Sequence, residues 1–540
     1  MTATLLLCLG LASGCILAAG NLYHYFQLES YQFPGYFRTL KRNTAKALVP
    51  GICMTVLLCA SMLLCALLIP EEHDTFTRIL VGVILTIGGW GIGRLLKEKK
   101  PKKKFAFTAR VKRLYAVSLI VLTGLLVLDI FCLIPANDPD SLRGRIGIGL
   151  FIFFPALLPL WVALSGLMAW PIEKGISELY FRDAQRVLRS RPDLIRIGIT
   201  GSWGKTSVKF ILGTILSEKY NTLVTPASFN TPMGVTKVIR SSIEPGHRVF
   251  VAEMGARHVG DIKEMCRLVH PEIGLLTSVG PQHLDTFHTV ERVAKTKYEL
   301  IEALPTDGKS FFADDEGLCR ELYEKTTGDR TLTGIDPEKD DVWAENIRYS
   351  PEGTEFDLCT KETRIACRTE LLGELNVRNI LLCAAVALRL GLDGGQIAHG
   401  ISKIRPVEHR LQLIRIPGGI TIIDDAFNSN IRGARQAFKT LKSFPGRRVV
   451  VTPGMVELGD REAEMNREFG RAMAECCDAA VLVGPKRSAA IRAGLEEGGF
   501  AAESIYVVSS LEEASRLMAG LTGPGDTVLF ENDLPDNYSE

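Results

Sequence analysis

A short glycine-rich segment has the residue types needed to hold phosphate groups. Residues 200–207 read Thr-Gly-Ser-Trp-Gly-Lys-Thr-Ser, with an apolar, strand-like run before them and an amphipathic, helix-like stretch at 208–216. In that context backbone N–H groups can surround phosphate oxygens, Lys205 can reach the β- and γ-phosphates, and the Thr206 hydroxyl can bind Mg²⁺. The predicted nucleotide ligands are Gly201, Ser202, Gly204, Lys205, Thr206 and Ser207. Because Ile199 replaces the first glycine of the general phosphate-loop pattern, the match is to a shorter variant.

Two further residues are predicted to lie at the same edge of the sheet. A strand-like run at 248–252 ends in Glu253, and another at 273–278 leads into a loop that contains His283. The carboxyl ends of parallel strands meet at one sheet edge, so both side chains are expected near Thr206. A lone loop histidine is more often a surface residue, but its convergence with Thr206 and Glu253 favours a role as metal ligand. The sequence therefore predicts a Mg²⁺ site on these three residues.

The elements that must position these residues follow an α/β pattern. Strand-like runs alternate with amphipathic helices after residue 195, which is typical of a mostly parallel sheet with helices on its faces. We expect a central P-loop parallel-sheet domain over 176–403 and a Rossmann-like C-terminal domain over 404–540, with a hinge near Arg405-Pro406. The strands of the second domain are predicted near 420–424, 447–452, 479–483, 504–508 and 526–530.

The first third of the chain has a different character. A bilayer core is crossed by roughly 20 apolar helical residues. Five segments qualify as spans: residues 3–20, 47–69, 79–96, 114–135 and 146–170. They explain the positive mean hydropathy of +0.14, and they predict an α-helical membrane domain over residues 1–175.

Basic residues indicate the orientation of these spans. The loop at 21–46 holds Arg38, Lys41, Arg42 and Lys46, and the loop at 94–113 holds ten basic residues. Positively charged loops stay in the cytoplasm, so we expect a multi-pass protein of the plasma membrane with its N-terminus outside and its catalytic domains in the cytoplasm. The basic run 97–104 is read either as a contact to anionic lipid headgroups or as a topology signal alone.

Overall charge and cysteine content exclude several protein classes. The 540 residues carry a formal net charge of +2 and 46% are hydrophobic, which excludes a disordered chain or a polybasic nucleic-acid binder. The 13 cysteines are odd in number and include no CxxC pair, which favours reduced, unligated thiols. The expected partners are a small-molecule amine, a carboxylate acceptor and the lipid bilayer, and no nucleic acid.

Several ordered motifs resemble those of the Mur ligases, the ATP-dependent amide-forming enzymes of peptidoglycan precursor synthesis, and most closely the D-alanyl-D-alanine-adding branch. The resemblance covers about residues 195–540. Besides the phosphate loop, it rests on the segments 229–235, 253–256, 282–284, 293–300, 372–379, 408–410 and 423–430. It implies ATP and two Mg²⁺ ions as cofactors and a reaction through an acyl phosphate.

The resemblance also implies roles for single residues. Lys297 aligns with a lysine that is carried as a carbamate and binds the second Mg²⁺; without the resemblance, Lys297 is a solvated helix residue. Lys205, Glu253, His283 and Lys297 are thus the expected catalytic set, and Thr206, Glu253, His283 and Lys297 the expected metal ligands. The expected nucleotide contacts outside the phosphate loop are Asn376 and Asn379 beside the adenine, Arg410 at a phosphate, and Asp425, Asn428 and Asn430 in the ribose-side motif.

The chain departs from the family pattern at several places. Phe312 stands where the family has an adenine-side asparagine, and Leu375 where it has a histidine, which leaves the nucleotide preference open. A family Lys-Gly-Ser-Arg element near the C-terminus is replaced by residues 530–538, so the amine can differ. Membrane spans replace the domain that holds the UDP end of the substrate in soluble relatives.

The sequence therefore predicts a membrane-bound, ATP-dependent carbon–nitrogen ligase. It is expected to add an amino acid or a dipeptide such as D-Ala-D-Ala to a cell-wall peptide precursor, which the membrane domain suggests is lipid-linked. Two other functions remain open: a poly-γ-glutamate or folate-type polyglutamate ligase, and a membrane NTPase with a transport or sensor role. A scaffold without catalysis is disfavoured by the intact phosphate loop.

Overall fold

The computed structural model describes residues 1–97, 104–134, 141–227, 229–315, 317–350, 353–416, 418–426, 431–456, 458 and 461–532. The predicted ribose-side residues Asn428 and Asn430, most of the basic run 97–104 and the C-terminal residues from 533 onward lie outside this description. The chain forms two compact units, the first covering Met1–Glu178 and the second beginning at Leu179.

The first unit is helical. Its helices are α1 (Thr2–Ala18), α2 (Gly20–Leu28), α3 (Phe33–Arg42), α4 (Thr44–Leu68), α5 (Asp74–Leu95), α6 (Ala109–Leu133), α7 (Leu142–Phe153) and the start of α8 (Leu158–Arg189). Among the described residues, four helical segments are long and apolar enough to cross a membrane: α4, α5, α6 and the stretch from α7 through α8. They match four of the five predicted spans.

The remaining predicted span, residues 3–20, corresponds to a bent pair. Helices α1 and α2 meet at an angle of 54° and pass the length and composition criteria only together. Small residues let α1 pack closely on α5: a Cβ at Gly14 would lie less than 3.0 Å from the Leu85 carbonyl, and one at Gly89 equally close to the Gly14 backbone. Such small-residue contacts are typical of helix packing in membranes.

The second unit begins with a large sheet. The central elements are β1 (Ile195–Thr200), α9 (Lys205–Leu216), β2 (Thr222–Val224), α10 (Pro232–Ser242), β3 (Val249–Glu253), α11 (Asp261–Val269), β4 (Ile273–Leu276), α12 (Leu284–Phe287), α13 (Val290–Glu302), β5 (Lys309–Ala313), α14 (Leu318–Lys325), β6 (Asp329–Gly334), β7 (Val342–Ser350), β8 (Gly353–Cys359), β9 (Arg364–Thr369), α15 (Glu374–Arg389) and α16 (Gly394–Ser402).

The strands of this sheet lie in the order β2-β3-β1-β4-β5-β6-β7-β8-β9. The first seven run parallel, and β8 and β9 continue the sheet as antiparallel strands. Parallel strands are buried on both faces and therefore read as apolar runs. Ile197 and Ile199 of β1 pack against α9 and α15, whereas Phe250 and Ala252 of β3 face the α11 and α13 side.

A second parallel sheet follows. Its elements are β10 (Gln412–Arg415), β11 (Thr421–Asp425), α17 (Ile431–Lys442), β12 (Arg448–Thr452), α18 (Glu462–Ala474), β13 (Ala479–Val483), α19 (Ala489–Glu497), β14 (Ile505–Val508), α20 (Leu511–Leu521) and β15 (Thr527–Glu531), in the order β10-β11-β15-β12-β13-β14. Only β10 is antiparallel to its neighbour among the described strand pairs. The predicted fold class, a helical membrane-type region followed by α/β domains, is confirmed.

Candidate active site

The phosphate loop lies at the carboxyl end of β1, between the ends of two neighbouring strands. The strand register sets Ile199 opposite Glu253 of β3, and Thr200 opposite Leu276 of β4. Helix α9 begins at Lys205, and Gly204 before it has φ of 82°, a conformation that side chains rarely adopt. The loop, Glu253 and the segment after β4 therefore meet at one sheet edge, as the sequence predicted.

Hydrogen bonds fix the phosphate loop to the segment that follows β4. The Ser202 amide donates to the Ser278 carbonyl at 2.9 Å, and the Trp203 amide donates to Ser278 Oγ at 3.0 Å. Ser202 Oγ also donates to the Gly280 carbonyl at 3.0 Å. These contacts hold the loop in a defined shape before any phosphate arrives.

Lys205 is held above this loop. Its Nζ donates to the Gly201 carbonyl at 2.6 Å and to the Ser202 carbonyl at 3.2 Å. Burial lowers the pKa of the Lys205 amine to about 8; the Glu253 carboxylate opposes this shift and the Arg410 charge adds to it. A phosphate placed on the loop would replace the two carbonyl contacts with a charge-assisted hydrogen bond.

Glu253 is the centre of a buried polar cluster. Its carboxylate accepts from Thr206 Oγ1 at 3.1 Å, from Asn230 Nδ2 at 3.0 Å and from Lys209 Nζ at 2.9 Å. Burial raises the pKa of this carboxyl, but the Lys209 and Lys205 charges outweigh burial and hold its pKa below the usual range. Glu253 is therefore an anion although it is only 1% exposed.

Sequence reasoning missed two members of this cluster, Lys209 and Asn230. Lys209 is 0% exposed, and its Nζ also donates to the Ala227 carbonyl. A signal was present, since Lys209 lies four residues after Lys205 and hence on the same helix face. Asn230 belongs to the 229–235 segment that carries part of the resemblance, which by itself does not show that this amide contacts Glu253.

The oxygen atoms of this cluster fit a magnesium ion. A hydroxyl and a carboxylate at 3.1 Å are hard donors of the kind that Mg²⁺ takes while keeping several waters. Within the part of the chain that the structure describes, no three His, Cys, Asp or Glu side chains are grouped for metal binding. The set on Thr206 and Glu253 is thus a partial one, to be completed by water, by phosphate or by other ligands.

His283 lies near this edge but outside the Glu253 cluster. It precedes α12 with φ of 50°, and its carbonyl accepts from the Thr286 and Phe287 amides at 3.0 Å. None of the hydrogen bonds that Glu253 makes with described residues involves His283. Its part in metal binding remains a prediction.

Lys297 lies inside the protein. Its side chain is on α13, and the residue is 1% exposed. The alternative that Lys297 is a solvated helix residue is therefore wrong, because α13 turns this face towards the sheet. Burial lowers the pKa of its amine well below the usual range, and the Lys205 charge adds to the shift while Asp261 and Glu299 oppose it. The field of Lys205 thus reaches Lys297.

Helix α15 brings one predicted adenine-side residue to the phosphate loop. A Cβ at Gly204 would lie 3.1 Å from Asn379 Oδ1, so this amide borders the loop. Asn376 is buried, and its Nδ2 donates to the Leu372 carbonyl at 2.8 Å, one turn earlier. Its amide therefore supports the start of α15.

Arg410 and Asp425 extend the site into the second sheet. Burial lowers the pKa of the Arg410 guanidinium, while the charges of Asp425 and Glu253 oppose this shift. Burial raises the Asp425 pKa to about 6, against the effect of Arg410. Asp425 Oδ1 accepts from the Leu411 amide at 3.1 Å. Arg410 is thus electrostatically coupled to both Glu253 and Asp425.

The two departures on the adenine side have different structural settings. Phe312 is 0% exposed in β5, and its ring packs edge-on to Tyr323 with the centroids 5.7 Å apart. It is therefore a core residue. Leu375 is half-buried in the first turn of α15.

Comparison with known proteins assigns this arrangement to a family. The profile of the Mur ligase middle domain matches residues 199–387, and that of the Mur ligase glutamate ligase domain matches residues 409–531. The UDP-N-acetylmuramoyl-tripeptide--D-alanyl-D-alanine ligase of Mycobacterium tuberculosis (strain CDC 1551 / Oshkosh) is 32% identical over 358 residues, covering 62% of this chain and 69% of that protein. The chain belongs to the Mur ligase family. Mur ligases are ATP-dependent acid–amino-acid ligases that use Mg²⁺.

Other relatives agree with this assignment. The Escherichia coli (strain K12) enzyme of the same name is 29% identical over 356 residues, which cover 64% of this chain and 78% of the relative. MurF from Acinetobacter baumannii superposes with a TM-score of 0.61 at 26% identity, covering 67% of this Mur ligase and 78% of the other chain. MurF from Thermotoga maritima in complex with ADP, at 24% identity and a TM-score of 0.59, shares the fold over 66% of this chain and 80% of its own.

Gly280 offers a test of how the phosphate loop is held. A Cβ at this position would lie less than 3.0 Å from the Trp203 ring, so Gly280→Ala must displace the loop. Overpacking of this kind costs about 1–3 kcal/mol, and we expect the affinity for ATP to fall about tenfold, as measured by calorimetric titration of the purified full chain. Gly520→Ala in α20 is the control, because its Cβ meets no atom within 4 Å. Equal ATP affinities of the two variants would contradict the prediction.

Proposed function

We propose that this Mur ligase joins a carboxylate to an amine through an acyl phosphate. The substrate carboxylate attacks the γ-phosphorus of ATP, the bond from that phosphorus to the bridging oxygen breaks, and ADP leaves. The amine then attacks the acyl carbon, loses a proton and expels inorganic phosphate. Phosphoryl transfer of this kind depends on positioning and on charge neutralisation rather than on a protein nucleophile.

The observation that carries the proposal is the joint placement of Lys205, Thr206 and Glu253 at one sheet edge. The Lys205 amine, held at the mouth of the loop, can follow the negative charge on the transferring phosphate. Arg410 adds a second cation whose field reaches Glu253. Thr206 and Glu253 would hold Mg²⁺, which when bound neutralises phosphate charge. Lys297 and His283 are proposed to complete the metal ligands.

We further propose D-alanyl-D-alanine as the amine. Support comes from relatives in Escherichia coli, Bacillus subtilis and Mycobacterium tuberculosis, all of which are named UDP-N-acetylmuramoyl-tripeptide--D-alanyl-D-alanine ligase. The second domain, which carries Arg410 and Asp425, matches the family profile over most of its length.

The carboxylate acceptor is proposed to be a lipid-linked cell-wall peptide at the cytoplasmic face of the plasma membrane. Support comes from the four apolar helical segments of the first unit, which precede the region matched by the family profiles. A membrane-attached ligase gains from a membrane-attached substrate, because confinement to one surface raises the effective concentration.

Product formation distinguishes these proposals. The full chain in liposomes would receive ATP, Mg²⁺, D-alanyl-D-alanine and either a prenyl-diphosphate-linked or a UDP-linked muramoyl tripeptide. We expect kcat/KM to be at least about tenfold higher for the lipid-linked acceptor. Equal turnover of the UDP-linked acceptor would refute the lipid-linked proposal. Replacing D-alanyl-D-alanine by glutamate tests the polyglutamate alternative, which requires that glutamate be incorporated. The Lys205→Met variant should form no product, which would show that product formation depends on this site.

A further inference from the structure

The first unit contains a cleft that the proposed chemistry does not use. Four of its nine lining residues are aromatic, and Phe26, Phe33, Leu114 and Trp170 are among its apolar lining residues. Charged residues, Arg110 and Glu173, line it as well. An apolar cleft that also contains charged groups fits an amphiphilic ligand better than a purely apolar one.

The position of these residues along the helices places the charged groups at a membrane boundary. Arg110 is the second residue of α6, and Glu173 follows the last apolar run of α8. Arg110 lies in the basic loop at 94–113, and Glu173 follows the last predicted span, so the predicted topology assigns both residues to the cytoplasmic surface. Tyr31 and Phe33 lie in the basic loop at 21–46, where Phe33 is the first residue of α3. Lipid headgroups lie at this depth.

The charged side chains near the cleft differ in how well they are paired. Arg113 binds Glu173 through two hydrogen bonds of 2.5 and 2.8 Å, which largely satisfy this carboxylate. Arg110 Nε lies 3.7 Å from Glu173 Oε2, beyond hydrogen-bonding distance, and its guanidinium stacks 3.9 Å above the Tyr31 ring. Among the described residues, the Arg110 guanidinium donates no hydrogen bond. Lys174 adds a further cation 5.0 Å above the Trp170 ring.

The geometry points to a binding site for the phosphate of a membrane lipid. The planar guanidinium of Arg110, which Tyr31 orients, can donate two parallel hydrogen bonds to phosphate oxygens. The three cations named here, Arg110, Arg113 and Lys174, exceed the one carboxylate, Glu173, by two charges, which favours an anion. The apolar chain of the lipid would lie against Leu114 and Trp170. This site goes beyond the proposed function, since it can bind a lipid whether or not that lipid is the substrate.

Lipid binding to the full chain tests this site. After delipidation in a neutral detergent, native mass spectrometry would measure the binding of phosphatidylglycerol, undecaprenyl phosphate, diacylglycerol and inorganic phosphate. We expect at least one of the two phosphate lipids to bind and diacylglycerol not to bind, with inorganic phosphate at least about tenfold weaker because it lacks a chain. The two phosphate lipids separate a general phospholipid from an isoprenoid carrier. Equal binding of diacylglycerol, or of inorganic phosphate, would overturn the proposal.

Matched arginine variants show where the lipid binds. Arg110→Gln should weaken phosphate-lipid binding about tenfold, and Arg110→Lys less, because it keeps the charge. Arg94→Gln is the control, since Arg94 also stacks on an aromatic ring, Trp90, at 4.6 Å and at a helix end. Equal affinities of Arg110→Gln and Arg94→Gln would overturn the proposal. An unchanged helical circular-dichroism signal and monodisperse elution of Arg110→Gln would show that the variant is folded, and unchanged ATP affinity would keep this result separate from a failure of the ligase proposal.

Discussion

Lys209→Met is expected to destabilise the nucleotide-binding unit by about 3–5 kcal/mol, because it leaves the buried Glu253 carboxylate without its ion-pair partner. Lys209 and Glu253 are 0% and 1% exposed, and their charged atoms lie 2.9 Å apart. Removal of Lys209 leaves the buried carboxylate with only the hydrogen bonds from Thr206 and Asn230 and the more distant charge of Lys205. Calorimetric melting of the full chain would measure this loss of stability. The transition of the second unit is identified as the one whose melting temperature rises when ATP is added.

An exposed ion pair of similar length provides the control. Lys403 Nζ lies 3.0 Å from Glu218 Oε1, but the Lys403 side chain is 53% exposed. Lys403→Met should therefore cost no more than about 1 kcal/mol. Replacing both Lys209 and Glu253, as Lys209→Met with Glu253→Gln, should recover part of the loss, since no charge is then left buried. Equal melting temperatures for Lys209→Met and Lys403→Met would contradict the expectation.

The same variant should also affect metal binding. Lys209 holds Glu253 Oε2, whereas Thr206 and Asn230 contact Oε1. Without Lys209 the carboxylate can turn, and its Oε1 would no longer be fixed beside the Thr206 hydroxyl. Binding of Mn²⁺, followed by electron paramagnetic resonance in the presence of ADP, measures this effect independently of turnover.

The phosphate loop and the sheet edge could be predicted because their signals are local. An apolar strand, a glycine turn and a helix follow one another within about twenty residues, and parallel strands must end on the same side. The burial of Lys209 could not be read in this way. It depends on Glu253 at the end of β3 and on Ala227, which are distant from α9 in sequence and contact Lys209 only in the folded sheet.

The surroundings of Asp424 and Asp425 are a second feature that could not be predicted from the sequence. The family resemblance implied a nucleotide contact for Asp425, and in the structure both carboxylates hold the segment before β10: Asp424 Oδ2 lies 2.7 Å from His409 Nδ1, and Asp425 accepts from the Leu411 amide. His409 and Leu411 have φ of 59° and 45°. Residues other than glycine rarely adopt this backbone conformation, so the residue types at these positions do not predict it. Asp425 is thus a support for Arg410 as well as a candidate ribose contact.

The bent α1–α2 pair shows the same limit in the membrane region. Residues 3–20 are apolar enough for a straight span, and composition alone could not place a 54° bend after Ala18. The close packing of Gly14 on α5 depends on which helices become neighbours. A local hydropathy pattern does not contain this information.

Lys297→Ala is expected to lower the rate of product formation by about 10²–10³-fold. Lys297 is buried, and among the described residues it makes no hydrogen bond or ion pair, so a bare ammonium there would be costly. A neutral amine can add to CO₂, losing one proton to form a carbamate, and the resulting anion would pair with Mg²⁺. Burial thus favours the form of the side chain that the modification requires.

Isotope labelling detects this carbamate directly. With ¹³C-bicarbonate, the wild-type chain should show a carbamate carbon resonance that Lys297→Ala lacks, and added acetate should restore part of the activity of the variant by filling the vacated position with a carboxylate. Lys295→Ala is the control, because Lys295 lies two residues earlier on the same helix and is exposed. Its activity should stay within about twofold of wild type, as is usual for an exposed position. Wild-type turnover of Lys297→Ala would contradict the carbamate assignment, and so would the same ¹³C resonance in Lys297→Ala and Lys295→Ala. A buried lysine that serves packing alone would give neither a carbamate resonance nor rescue by acetate.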